Sequence, residues 1–272
     1  MNDLFKASPI NYENEIPVFS KKDEYIYNYE RIAHDHLSHV KKTGNNPWIN
    51  EELWNEMEDT TLKQINKYVK KGDKILDVGV GTGRLLNKIS LDIEKYGMDI
   101  SMENLGISKE KGINCTYAKI EDMPFKDEAF DIIVTTDVLE HVIDINSCVS
   151  KILKTLKKNQ YLIARVPYRE DLEGYTRLEY PYQFAHLRTF DEYGLKLFFE
   201  KELKCEFVEF ELTGHYFAPT RLKWGQIPAD GKGLKIANFF INKFRKSIKN
   251  KNPIYYKNMY IPIEISFVIK KA

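Results

Sequence analysis

The chain has 272 residues, 43% hydrophobic and 30% charged, with a net charge of +1. This is the composition of a globular domain, and the near-balanced charge excludes a polycation that coats nucleic acid by charge alone. Cys115, Cys148 and Cys205 lie far apart with no CxxC pair, which argues against a zinc ribbon or a disulfide framework, and no run approaches the roughly 18 apolar residues of a membrane span.

The N-terminal stretch MNDLFKASPINYENEIP carries acids and lacks an apolar core, so it does not read as a signal peptide. The first 70 residues are expected to form a helical cap. Ile26, Tyr29, Ala33, Leu37 and Val40 recur at helical spacing, TGNNPW breaks that helix, and a second begins at an Asn50 cap. Lys70 and Lys71 suit its last turn and Gly72 its left-handed stop. From residue 71 to 272, short apolar runs alternate with helical stretches: KILDVG, GRLLNKIS, KYGMDI, INCTYAKI, FDIIVTT, a helix from about Ile145 to Leu156, and YLIARVP. A further helix, TFDEYGLKLFFEKEL, is expected to be capped by Thr189, and CEFVEFEL and IPIEISFVIKK are the last strands. The alternation predicts an α/β doubly wound, Rossmann-like sheet of seven strands, with an insertion at about 214–260 before the last.

ILDVGVGTGRLL, positions 75–86, places three glycines on alternate positions at the end of the first strand of that alternation. In an open α/β sheet this crevice holds ligands, and glycines let backbone approach them. A dinucleotide site wants G-x-G-x-x-G, whereas here Arg84 holds the final glycine position and Asp77 precedes the turn. A carboxylate there repels a pyrophosphate and suits an ammonium. Asp99 ends the next strand, where a carboxylate takes both hydroxyls of a ribose.

LDVGVGTG, GMDIS and DMPFKDEAFDIIVTTDVLEHV, in that order, resemble the motifs of class I S-adenosylmethionine-dependent methyltransferases; DVLEHV followed by HLRTFD is similar to the ubiquinone-biosynthesis (type 11) subgroup. The resemblance covers about residues 70–213 and the final strand. It implies that the last strand is antiparallel. It also implies S-adenosyl-L-methionine as cofactor, with Asp77, Gly79 and Gly81 at the methionine moiety, Asp99 at the ribose and Thr136 at the end of the fourth strand; outside its span, an aromatic of the cap such as Tyr29 is expected near the cofactor's carboxylate end. Where the family often has Asp-Ala, this chain has Lys119 and Ile120. The adenine side is therefore assigned to the Ile120 backbone and to Met123, with Asp122 or Glu121 as the replacement acid.

A hydroxyl acceptor needs a base or a metal, and an amine needs neither. His186 is the first candidate base and His141 the second. No metal site is read: His36 and His39 are taken as a solvated helix face. The tyrosines and arginines of 168–190 suit a sugar or ring bearing an anionic group. The expected activity is O-methylation of a small-molecule acceptor, a sugar or glycan-pathway intermediate. N- or C-methylation of another metabolite and a non-catalytic cofactor-binding subunit remain as alternatives, and no nucleic-acid partner is expected. A cytoplasmic location is expected. The stretch 232–251 carries cations without acids, and reads either as a packed surface helix or as a peripheral contact with an anionic membrane. Residues 22–70 are expected to cover the cofactor, so that deleting residues 1–45 abolishes cofactor binding without unfolding the core.

Overall fold

A computed structural model describes residues 2–217, 240, 243, 244, 247 and 260–272. β1 (Asn11–Glu13) and β2 (Ile16–Val18) precede α1 (Glu24–Thr43) and α2 (Glu51–Tyr68). The alternating part follows as β3 (Lys74–Val78), α3 (Arg84–Asn87), β4 (Glu94–Asp99), α4 (Met102–Glu110), β5 (Asn114–Tyr117) and β6 (Phe130–Thr136). It continues through α5 (Ile145–Thr155), β7 (Leu156–Pro167), α6 (Glu192–Lys196), β8 (Glu206–Phe217) and β9 (Tyr260–Lys270).

One sheet runs β1-β2-β5-β4-β3-β6-β7-β9-β8, parallel from β2 to β7, with β9 antiparallel to both its neighbours. It has nine strands where seven were expected. The two extra are the β1–β2 hairpin, whose strands of three residues are too short to show a period of two, and Val18 of β2 pairs with Tyr117 of β5. The hairpin is anchored by burial: Ile16 is 1% exposed, and Phe5 lies against Phe19 and Phe125. The N-terminal segment therefore shares its core with the sheet.

β3 shows why a parallel sheet forms here. Ile75 and Leu76, on opposite faces, are both fully buried, because helices cover the sheet on each side. α1 through α4 contribute Ile26, Ile65, Leu86 and Leu105 to one core, and α5 contributes Cys148, Val149 and Ile152 to the other.

The helix ends follow side-chain chemistry. Asn50 caps α2 by accepting from the Leu53 N–H at 2.9 Å, and Gly44 closes α1 in the left-handed conformation. α2 stops at Tyr68, before the expected Lys70–Gly72, because the Asp73 side chain accepts from the Lys70 N–H at 2.7 Å and bends the chain into β3. The cap of α6 is Asp191 rather than Thr189: its carboxylate accepts from the Gly194 N–H at 2.8 Å. Past α6 the chain continues as a π-helical stretch, Leu197–Glu202.

β8 reaches Phe217, so the first residues assigned to the insertion belong to the sheet. Most of the basic stretch at 232–251 lies outside the described residues; Phe240, Lys243, Phe244 and Ser247 are helical and exposed. No helix among the described residues is long and apolar enough to cross a membrane.

Candidate active site

β3, β4 and β6 end side by side, and α1 crosses above their carboxyl ends. Between them lies a cavity of about 260 Å³. Its floor is built by the glycine turn. Gly79 has φ +81°, its N–H donates to the Met98 carbonyl at 2.7 Å, and a Cβ there would lie 2.2 Å from Val138 Cγ2. Only glycine permits that conformation and that approach. Gly81 also has positive φ, +52°, and its N–H donates to Asp99 Oδ2 at 2.8 Å. Gly83 has its own reason: Ile113 and Ser108 of the neighbouring α4–β5 layer press against it.

Asp99 is fixed on its other side by the Ser101 N–H, at 2.8 Å from Oδ1, and lines the cavity. Each oxygen keeps a free lone pair, so the pre-oriented carboxylate can take two hydroxyls of a ligand. Asp77 sits below, 2% exposed, with Oδ1 buried and without a partner. Burial, then repulsion from Asp99, pushes its pKa up to about 7. An orphaned buried carboxylate beneath a cavity is complementary to a cation.

The predicted residues do not all meet. Tyr29, Gly79, Asp99, Ile120 and His141 line the cavity; Asp77 and Gly81 lie just behind it. Asp122, Met123 and Thr136 do not line it. The chain makes a 3-10 turn at Ile120–Asp122, which presents Ile120 and Glu121 to the cavity and turns Asp122 back to accept from Ser20 Oγ at 2.7 Å. Met123 is buried in the core beyond that turn, and Thr136 stops one residue short of Asp137, which is the lining residue. His36 is not on a solvated face: it lines the cavity stacked against Trp48, ring centroids 4.9 Å apart.

The turn after β6 carries the other half of the site. His141 is held through Nδ1 by Tyr29 Oη at 3.2 Å and the Ala185 carbonyl at 3.4 Å. Burial, then the neighbouring His186, brings its pKa down to about 3, so it is a neutral ring at physiological pH and a weak base. His186 packs edge-on against it at 4.7 Å, outside the cavity wall, and its Nδ1 lies 2.5 Å from Glu170. The loop bearing His186 is tied down by the Leu187 N–H donating to the Glu140 carbonyl and by Arg188 Nη1 donating to the Leu139 carbonyl, 2.9 and 2.8 Å.

Sequence reasoning missed the charges below. Arg165, 2% exposed in β7, pairs with Asp137, itself at φ +58°. Glu140 and Glu264 are buried and held well above the carboxylate range, chiefly by desolvation. The available signal was an arginine inside the apolar run YLIARVP, which demands buried acids. The expected anion grip is spent otherwise: Arg169 pairs with Asp191 and Glu192, Arg177 with Glu173, and Arg188 with carbonyls.

A Rossmann-like sheet, an acid at the end of β4, a buried acid under a glycine turn and a helical cover define a nucleoside-binding fold for a ligand with a cationic tail. Residues 76–164 match the family described as methyltransferase domain, and that stretch supports a class I S-adenosylmethionine-dependent methyltransferase of type 11. The cofactor of that domain is S-adenosylmethionine. An uncharacterized protein of Methanocaldococcus jannaschii is 33% identical over 113 residues, 42% of this chain and 53% of that protein. An uncharacterized methyltransferase of Schizosaccharomyces pombe is 30% identical over 144 residues, 47% and 50% of the two chains. The chain thus spans about half the length of these curated relatives. Other matches carry the names of quinone, tRNA and phosphoethanolamine methyltransferases, which agree on methyl transfer and differ on the acceptor. In fold, the chain is similar to a methyltransferase solved with the Trm112 activator of Haloferax volcanii, TM-score 0.60 at 14% identity, covering 90% of this chain and 96% of that one.

Proposed function

We propose that the protein transfers a methyl group from S-adenosylmethionine to the hydroxyl of a small acceptor, a sugar or glycan-pathway intermediate. The observation that carries this reading is the paired acids. Asp99 is pre-oriented by two backbone N–H groups for a ribose diol, and the orphaned Asp77 Oδ1 suits an ammonium. Ile120 and Glu121 would flank the adenine, and Tyr29 and His141 the methionine end. When bound, the cofactor supplies an electrophilic sulfonium methyl; the protein supplies alignment, exclusion of water and handling of the acceptor proton.

For that proton the reading rests on His186. With Glu170 engaging Nδ1, the ring leaves Nε2 to act on an acceptor oxygen. His141, a neutral ring with its pKa near 3, serves better as a wall than as a base. Tyr175, Tyr180 and Tyr182 stand edge to face in series beside His186, a surface suited to the apolar face of a sugar.

The test is release of S-adenosylhomocysteine from S-adenosylmethionine over a panel of hydroxyl and amine acceptors. Turnover with a hydroxyl acceptor is expected, lowered roughly 10²–10⁴-fold in His186→Ala with product-cofactor affinity unchanged. Turnover with amines alone, unaffected by that substitution, would contradict the reading.

A further inference from the structure

Glu140 is the least explained side chain in the described structure. It is fully buried in the turn after β6, and neither carboxylate oxygen has a hydrogen-bond partner. His141 Nε2 lies 3.9 Å from Oε1. Burial without side-chain partners keeps Glu140 protonated in the ion-free protein, and a cation beside it would be what favours the charged form.

Two histidines converge on the same point. One ligand atom from each of Glu140, His141 and His186 lies within 4.8 Å of the others. Both rings have Nδ1 engaged by other groups, His141 by Tyr29 and Ala185 and His186 by Glu170. That leaves Nε2 of each as the ring atom for a ligand. A histidine held through its second nitrogen by a carboxylate or carbonyl is the arrangement that orients metal-bound imidazoles.

From this the geometry points to a divalent-cation site made by Glu140, His141 and His186. Two imidazoles and one carboxylate suit a first-row cation such as Mn²⁺ or Zn²⁺, at about 2.0–2.2 Å from each donor, with further positions open to an outside ligand. Because His141 forms part of the cavity wall, those positions adjoin the methyl donor's site. The inference rests on the methyltransferase reading for its purpose: a cation there would acidify a bound acceptor hydroxyl, whose proton would pass to bulk water, and His186, with Nε2 on the cation, would be its ligand in place of the base proposed above.

The experiment is calorimetry of the chelator-treated, untagged chain with Zn²⁺, with Mn²⁺ binding read by electron paramagnetic resonance. Adenosylhomocysteine is titrated separately into each sample. One equivalent of cation is expected to bind the wild type, at least tenfold more weakly in Glu140→Gln and in His186→Ala. Both variants should keep their adenosylhomocysteine affinity, which also reports that they are folded. A wild type that binds adenosylhomocysteine but neither cation would overturn the site. So would cation binding unchanged in a folded variant. Cation binding without any adenosylhomocysteine binding would leave the site standing and sink the methyltransferase reading instead.

Discussion

Asp77 carries a cost in the free protein. Its carboxyl is raised from an ordinary value near 3.8 to about 7, with desolvation first and Asp99 second. A group raised in the folded state lends stability below its unfolded pKa and loses it as pH climbs through the folded one. The ligand-free protein is therefore expected to lose on the order of 2–4 kcal/mol between about pH 4 and pH 7 from this residue. Asp77→Asn should melt higher than wild type at pH 8 and close to it at pH 4. It should also weaken adenosylhomocysteine binding at pH 8, since the charge that meets the ammonium is gone. Wild-type affinity should fall as pH drops below 7, while the variant's should not. A variant no more stable than wild type at pH 8, with the same affinity, would mean that Asp77 does not face the ligand. Asp77 and Asp99 were legible because their places are set by strand ends, which a sequence displays. Glu140, Arg165 and Asp137 were not, because their meeting depends on the pairing of β6 with β7 and on a turn whose backbone no local pattern announces.

Among the elements, the β3–α3 turn separates two glycines that look alike in the sequence. Both adopt positive φ, but a Cβ on Gly79 collides with Val138, while one on Gly81 meets nothing within 4 Å. Gly81→Ala is expected to cost about 1 kcal/mol, the backbone penalty alone. Gly79→Ala should cost about 3 kcal/mol, since overpacking adds to that penalty. Chemical denaturation of the two variants checks the difference, and equal losses would refute this geometry. Arg84, which replaced the expected glycine of a dinucleotide turn, has a structural reason. Its guanidinium lies over Trp54 at 4.3 Å and pairs with Glu51 and Glu58, fastening α3 to α2. Helix starts at Asn50 and near Ile145 were readable from caps and periodicity. The early end of α2 and the π-helical stretch after α6 were not, since a side-chain turn at Asp73 and an irregular ladder leave the apolar spacing almost unchanged.

At the scale of the whole molecule, the alternation of strands and helices from residue 73 onward announced a doubly wound sheet, and its parallel strands and antiparallel last strand agree. What the pattern concealed is how the N-terminal segment joins it. Phe5, Ile16 and Ile26 are almost completely buried, each worth about 1.5–3 kcal/mol, so removing residues 1–45 takes away core as well as cover. The burial therefore favours a deletion that unfolds the core as well as abolishing cofactor binding. Such losses are comparable with the total stability of an ordinary domain. The cap is thereby coupled to the fold: α1 closes the cavity with Tyr25, Tyr29 and His36 while its Ile26 belongs to the core of the sheet.

On the reading proposed above, the cavity between α1 and the ends of β3, β4 and β6 binds the nucleoside end of the methyl donor through Asp99. Calorimetric titration of adenosylhomocysteine into wild type and Asp99→Asn tests it most directly. One site is expected in the wild type and at least tenfold weaker binding in the variant, since a carboxylate's charge-assisted hydrogen bonds, about 1.5–3 kcal/mol each, become neutral ones. A wild type that does not bind, or a folded variant that binds equally well, would contradict it.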